Sequence, residues 1–472
     1  MKKLVYLSIA LLVVTSLLLS ACGPTPEPTK APEPTKAPEP TKEPEPAPSE
    51  EKVQIRWFVG LGTGSSEEQM PDQEALVEEF NASQDKIELV VEFVLNEQAP
   101  DQLKTEIAAG NPPDIIGPVG QSGVNEFSGL FLDLAPYLEA RNYDYSDFDK
   151  DSIDAYLIAG EGQLGLPFAV YPSVIFYNRD LFDEAGLDYP PHEWGADYAD
   201  GDSWDIAKLE EVAMKLTVDA EGNDGSSPDF DPDNIVQFGY VTQWTLPRGE
   251  ATGLFGADSL VDENGNAVLS NRWREAFEWY YSAMHEKHFM PNATYRESDL
   301  LAAGNPFDSG NVAMAHCHLW YTCCNENVPN WHAAAVPSHD SGKLISKLHA
   351  DTFRILKATK HPEEAVDVLL WLTGDAANDF LQIYGGFPGR KSLQDAFIAG
   401  LDEQFTQGVD WQVFIDGLAY PDIPNHECNL PNYSKAFDRL EAFQSLYQSD
   451  PDLDIDAELD TLISDLDAVF HE

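Results

Sequence analysis

Residues 23–52 are almost entirely Pro, Glu, Thr, Lys and Ala, with the hexad Pro-Glu-Pro-Thr-Lys-Ala recurring from Pro26. Such a run has no apolar surface to bury against the entropy of folding. Its prolines favour extended polyproline II at about 3.1 Å per residue, so some 28 residues can reach about 90 Å. The segment is a stalk, and every core-forming residue lies in the roughly 420 that follow it. That length is too great for one small core and suits two lobes of ordinary domain size.

The chain starts with Lys2 and Lys3, an apolar run over 4–19, and the small residues Ser20 and Ala21. This is the pattern of a secretory signal peptide, residues 1–21. The run is short for a membrane span, and no later segment could cross a bilayer. Leu19-Ser20-Ala21-Cys22 resembles a lipoprotein cleavage box, which implies diacylglycerol on Cys22 and cleavage before it. Two acyl chains anchor stably where one does not. The expected location is the outer face of the cytoplasmic membrane, reached only through the lipid on Cys22, with the stalk at 22–52.

With 82 acidic against 28 basic residues the formal charge is -54, which excludes nucleic acid as a partner and argues against an anionic ligand. Once Cys22 is lipidated, Cys317, Cys323, Cys324 and Cys428 remain. An even number in an exported chain points to disulfides, with three possible connectivities. His316, His318 and His426 lie among these cysteines, but the spacing matches no common zinc module, so no metal or cofactor is expected.

Strand-like and helical stretches alternate along the body. Val53-Gln54-Ile55-Arg56-Trp57-Phe58 reads as a strand, followed by a Gly-rich loop, a helix carrying Leu76, Val77 and Phe80, and a strand over 87–95. A helix over 101–109 ends at Gly110-Asn111-Pro112-Pro113, before the apolar Ile115-Ile116. Strands near 174–177, 236–242 and 312–315 alternate with helices over 207–216 and 272–288. This order predicts an α/β fold with parallel-rich sheets flanked by helices. Ile455, Leu459, Leu462, Ile463, Leu466 and Phe470 have helical spacing and predict a packed final helix.

Several stretches resemble, in order, the family 1 extracellular solute-binding proteins of ABC importers, whose relatives bind maltose and other sugars. They are Ala109-Gly110-Asn111-Pro112-Pro113-Asp114-Ile115, Gly165-Leu166-Pro167-Phe168, Ile175-Phe176-Tyr177-Asn178-Arg179-Asp180-Leu181-Phe182 and Ala185-Gly186-Leu187. Ser203-Trp204-Asp205, Phe307-Asp308-Ser309-Gly310-Asn311-Val312-Ala313-Met314 and Lys360-His361-Pro362-Glu363-Glu364-Ala365 follow. The family often has Gly-x-Trp after the Ala-Met strand; His316-Cys317-His318-Leu319-Trp320 departs from it except at Trp320.

The resemblance implies a two-lobed periplasmic-binding-protein-like fold of type II, a clamp that closes on ligand and docks on a permease. About three segments are expected to cross between lobes, near 166–169, 350–354 and 385–389. The lobes would be 53–166 with 352–387, and 167–351 with 388–472. The implied function is capture of a small solute, expected to be a sugar or oligosaccharide, by a monomer that is not an enzyme.

A sugar site needs flat rings for C–H faces and polar groups for hydroxyls. The strand-end aromatics Trp57, Trp244 and Trp320, with Tyr171 just past the first crossing, are the expected stacking residues. Gln121 and Ser122 follow the third strand, Asp351 lies at the second crossing, and Phe387 and Arg390 flank the last. Plain packing is the alternative for each aromatic, and a solvated loop for Gln121, Ser122 and Asp351.

Competing functions are capture of another solute, such as a metal ion, and a lipid-anchored glycosidase. Tyr280-Tyr281 is similar to the paired tyrosines of iron-binding relatives, but it sits in a helix with Trp273, Phe277 and Trp279. Asp229-Phe230-Asp231-Pro232-Asp233 opens like a calcium loop, yet Asn234 and Tyr240 replace two signature positions. So acidic a chain holds carboxylate pairs by chance, and none of the common hydrolase motifs is present.

Overall fold

The computed structural model describes residues 52–472 except 149, 155, 159, 244–246, 340–341 and 423–429, and not the side chains of 151 and 323. The signal segment, Cys22 and the stalk therefore lie outside the described residues. No described helix is long and apolar enough to cross a membrane.

The strands used here are β1 Val53–Val59, β2 Ile87–Phe93, β3 Ile115–Val119, β4 Ala169–Asn178, β5 Ile235–Thr242, β6 Val312–His318, β7 Trp331–Ala334, β8 Leu348–Ile355 and β9 Phe387–Pro388. The helices are α1 Met70–Ser83, α2 Ala99–Ala108, α3 Gln121–Val124, α4 Arg179–Ala185, α5 Ile206–Leu216, α6 Pro247–Phe255, α7 Asn271–His285, α8 Pro362–Leu372, α9 Ala377–Tyr384, α10 Tyr433–Ser449 and α11 Ile455–Phe470.

The first strands build as their apolar runs dictate: β1 lies between β2 and β3 and pairs with both in parallel. The other half has β5 parallel to β6, with β6 antiparallel to β4. Strands of both halves join one continuous path, β2-β1-β3-β8-β4-β6-β5, and β7 and β9 pair with β4 off that path. Two strands create that continuity. In β8, Leu348 to Asp351 pair with β4, whereas Thr352, Arg354 and Ile355 pair with β3, with an irregularity between Thr352 and Arg354. In β4, Ala169 to Pro172 face β8, whereas Ser173 to Tyr177 face β6. The short β9 lies antiparallel to Ala169 and Val170. The three expected crossing stretches thus run side by side, and all ten residues of β4 are buried because both faces are covered.

Local signals set the helices. Asn178 Oδ1 accepts from the Asp180 N–H at 3.1 Å and starts α4, so Tyr-Asn-Arg-Asp is a strand-to-helix turn. Asp205 caps α5 in the same way, through the Lys208 N–H at 3.0 Å. The final helix buries Leu459, Leu462, Leu466 and Phe470, the face that its spacing marks. A close approach fixes Gly386: a Cβ there would stand 2.8 Å from both the Ala169 Cβ and the Tyr171 hydroxyl.

An acid-sensitive group on β7 stands opposite Tyr177 at the outer end of β4. Burial first, then the Arg179 guanidinium and His192, push the His332 imidazole on β7 down to about 4. Unfolded, the ring titrates near about 6.5, so the unfolded chain binds more protons between those values. Stability should fall as pH drops through that window. His332→Gln is expected to remove on the order of 2 kcal/mol of this loss, read from urea midpoints at about pH 7 and about pH 4.5. Equal pH dependence in the two proteins would refute it.

Candidate binding site

The site is built where β4, β6 and β8 meet. His349 on β8 stands opposite Tyr171, and His318, the last residue of β6, stands opposite Ser173 two positions further along β4. The two imidazoles flank β4 and stack with centroids 3.6 Å apart and planes 17° from parallel. Trp320, in the turn Leu319–Cys324, lies within 14° of the His318 plane and 11° of the His349 plane. The Trp320 indole N–H donates to His349 Nδ1 at 3.2 Å. Trp320 and His349 are half-buried and His318 is fully buried. Of these three near-parallel rings at the junction of the two halves, Trp320 and His349 are partly exposed, and flat ligand faces stack on such rings.

A buried polar layer lies alongside. His316 Nε2 bonds the Ser173 hydroxyl at 2.9 Å, and the Lys347 N–H donates to the same oxygen at 2.8 Å. Burial pushes the Lys347 ammonium down to about 8, against the pull of Cys317, Glu250 and Asp422. Burial raises the Glu250 carboxyl, although Tyr447 donates to it at 2.6 Å and Thr242 at 2.8 Å. Just beyond β5, the Oε1 of the buried Gln243 has no hydrogen-bond partner among the described residues. A buried acceptor left unpaired costs about 1–3 kcal/mol, which a donating ligand group would relieve.

The other half contributes α3. Gln121 Oε1 accepts from the buried Arg354 guanidinium at 2.7 Å while its Nε2 donates to Asn125 Oδ1 at 2.7 Å. The Ser122 hydroxyl meets Tyr433 Oη of α10 at 2.9 Å. Gln121 and Ser122 are thus tied into side-chain bonds, unlike ordinary solvated loop residues.

Several expected site residues have other roles. Trp57 is fully buried, its indole N–H donating to the Gly117 carbonyl at 2.7 Å and its ring edge-packed on Phe353 and Phe380. It is a core residue, because the face of β1 that carries Ile55 and Trp57 is buried, although Gln54 of the same strand is exposed. Tyr171 is also buried, and burial together with Asp351 and neighbouring tyrosines raises its hydroxyl well above the usual value. Phe387 is buried against Phe397. Arg390 is held by the Thr373 carbonyl at 2.6 Å, Tyr143 at 2.8 Å and Asp147 at 3.3 Å, with Phe148 under its guanidinium, so it is structural. The backbone carbonyl of Asp351 takes hydrogen bonds from Tyr156 and from the Phe168 N–H. Trp244 lies outside the described residues.

Cys317 corrects the expectation of four paired cysteines: it is a free, fully buried thiol, pushed up to about 12 by burial. Cys324 is disulfide-bonded; Cys428 and the side chain of Cys323 lie outside the described residues, as does His426. In the acidic stretch, Asp231 Oδ1 accepts from the Asp233 N–H at 3.1 Å, and the Asp231 N–H donates to Asp219. These carboxylates bond their own turns. Among the described residues no group of His, Cys, Asp and Glu is arranged to hold a metal ion. Tyr280 and Tyr281 donate to the carbonyls of Glu250 and Pro451. Sequence reasoning missed His349, Gln243 and Tyr433 and weighed His318 only within the Cys/His cluster, although its proximity to Trp320 pointed to a place beside that ring.

Residues 64–379 match the family of bacterial extracellular solute-binding proteins, and the chain belongs to that family. It is similar to the arabinooligosaccharide-binding protein of Halalkalibacterium halodurans, 24% identical over 353 residues that cover 70% of each chain. Among solved structures it is similar to UspC of M. tuberculosis, with TM-score 0.66 and 20% identity over 88% of this chain and all of that one. A Listeria monocytogenes ABC substrate-binding protein in complex with cycloalternan gives TM-score 0.65 and 19% identity over 88% of this chain and 99% of that one. These likenesses establish the two-lobed α/β fold.

Proposed function

We propose that this protein is a lipid-anchored receptor that captures a sugar or oligosaccharide between its two halves and delivers it to an ABC importer. The observation that carries the reading is the near-parallel stack of His318, His349 and Trp320 beside the strands that join the halves. A stack of this kind suits the C–H face of a pyranose or furanose ring, and the unpaired Gln243 Oε1 suits a hydroxyl donor. The relative in Halalkalibacterium halodurans is named for an arabinooligosaccharide and the Listeria monocytogenes structure holds cycloalternan, which supports the same ligand class. The chain's charge of -54 disfavours anionic solutes.

The lobes on this reading are 53–166 with 352–387, and 167–351 with 388–472. Diacylglycerol on Cys22 and the stalk at 22–52 keep a monomeric clamp within reach of its permease. The test is an intrinsic-fluorescence titration of the purified protein with mono- and oligosaccharides, alongside the intact mass of the membrane-extracted chain. A saturable tryptophan change with at least one carbohydrate and a lipid mass on Cys22 are expected. No response to any carbohydrate refutes the sugar assignment, an unmodified Cys22 refutes the anchor, and turnover of a chromogenic glycoside refutes the receptor reading.

A further inference from the structure

The first turn of α10 joins elements of different halves. Along its length α10 belongs with the β5–β6 half: Phe443 packs edge-on against Phe277 of α7 with centroids 4.9 Å apart, and Tyr447 donates to Glu250 of α6. Arg439 pairs with Glu458 and Asp465 of α11 at 2.7 and 2.8 Å. At its start the helix leaves these partners. Tyr433 Oη meets the Ser122 hydroxyl of α3 at 2.9 Å, and the Ser434 hydroxyl donates to the Glu126 carboxylate in the turn Asn125–Phe127. Glu126 is in turn paired with Lys104 of α2 at 2.7 Å. From behind, the side-chain amide of Asn432, itself in the left-handed region at φ 47°, donates to the Val469 carbonyl of α11 at 2.6 Å, and Lys435 pairs with Glu472. The turn is therefore braced on α11 and presents two hydroxyls to the β1–β3 half.

We propose that the first turn of α10 is a latch that holds the two halves closed, with Tyr433 and Ser434 as its gripping residues. A latch shifts the closed-to-open ratio, and so the apparent affinity for whatever solute binds the closed form. Ser122, expected from sequence to contact ligand, then acts on affinity as the strike for Tyr433. This rests on the reading that the halves close around a solute, but not on that solute being a sugar.

The test needs no ligand. Non-natural spin labels are placed at Glu79 on α1 and at Glu263, both exposed, in the full-length mature chain in detergent, and their separation is measured by pulsed electron resonance. Each lost hydrogen bond should raise the open-to-closed ratio roughly three- to tenfold. The double variant Tyr433→Phe, Ser434→Ala is expected to move population to longer distances, and Ser122→Ala to reproduce part of the shift from the other side. Ser122→Ala also carries the test alone if the double variant does not fold. Distance distributions that superimpose on wild type in the folded variants overturn the latch. A failed carbohydrate titration leaves that outcome unaffected, so the two proposals fail separately.

Discussion

Replacing Trp57 with alanine is expected to lower the unfolding free energy by about 4 kcal/mol, a large part of the 5–15 kcal/mol typical of a folded domain. The side chain is fully buried under β1, with ring centroids 5.8 Å from Phe353 of β8 and 5.4 Å from Phe380 of α9. Truncation leaves a cavity among rigid aromatic neighbours that cannot collapse into it, and strands the Gly117 carbonyl that now accepts the indole N–H at 2.7 Å. Trp57→Phe keeps most of the volume and should lose about 1–2 kcal/mol, chiefly for the unpaired carbonyl. Urea denaturation of both variants measures the difference. A loss below about 1 kcal/mol for the alanine variant would show that the junction of β1, β3 and β8 tolerates a void there. The same substitution should leave carbohydrate affinity unchanged in protein that remains folded, since the ring is fully buried.

Much of the fold was readable from periodicity and from family-like segments. The strand over 53–58 is β1, the helical spacing from Ile455 to Phe470 is α11, and Tyr-Asn-Arg-Asp is the turn into α4. These are local patterns, set by residues a few positions apart. The site was readable only where a feature was both local and aromatic, as at Trp320. Trp57 lies within a strand and Trp320 just past one, and nothing near either in sequence says that the Trp57 ring is enclosed by Phe353 and Phe380 while the end of β6 reaches the junction. That distinction depends on which elements pack above the sheet. His349 lies 29 residues from Trp320, and Tyr433 lies 311 residues from Ser122, so their meetings depend on the path of β8 and α10. Arg390 is singled out by its position after Gly-Phe-Pro-Gly, but two of the three bonds that hold it come from Tyr143 and Asp147, far along the chain.

Trp320 gives the complementary prediction. Trp320→Ala should weaken carbohydrate binding by about 2 kcal/mol or more, roughly thirtyfold in Kd, while changing stability far less than Trp57→Ala. The asymmetry follows from exposure: Trp320 is half-buried at the end of a strand, so its removal vacates surface more than core. Its loss also removes the indole N–H that donates to His349 Nδ1 at 3.2 Å and the ring that extends the His318–His349 stack. Trp320→Phe retains a stacking face but not the donor and should recover much of the affinity. His349→Ala should weaken binding in the same direction, because it removes both a ring of the stack and the acceptor that orients Trp320. Isothermal titration with a carbohydrate that saturates the wild type separates these cases. Wild-type affinity in Trp320→Ala would remove the ring stack from the binding surface and leave Gln243 and α3 as the remaining basis for a site between the halves.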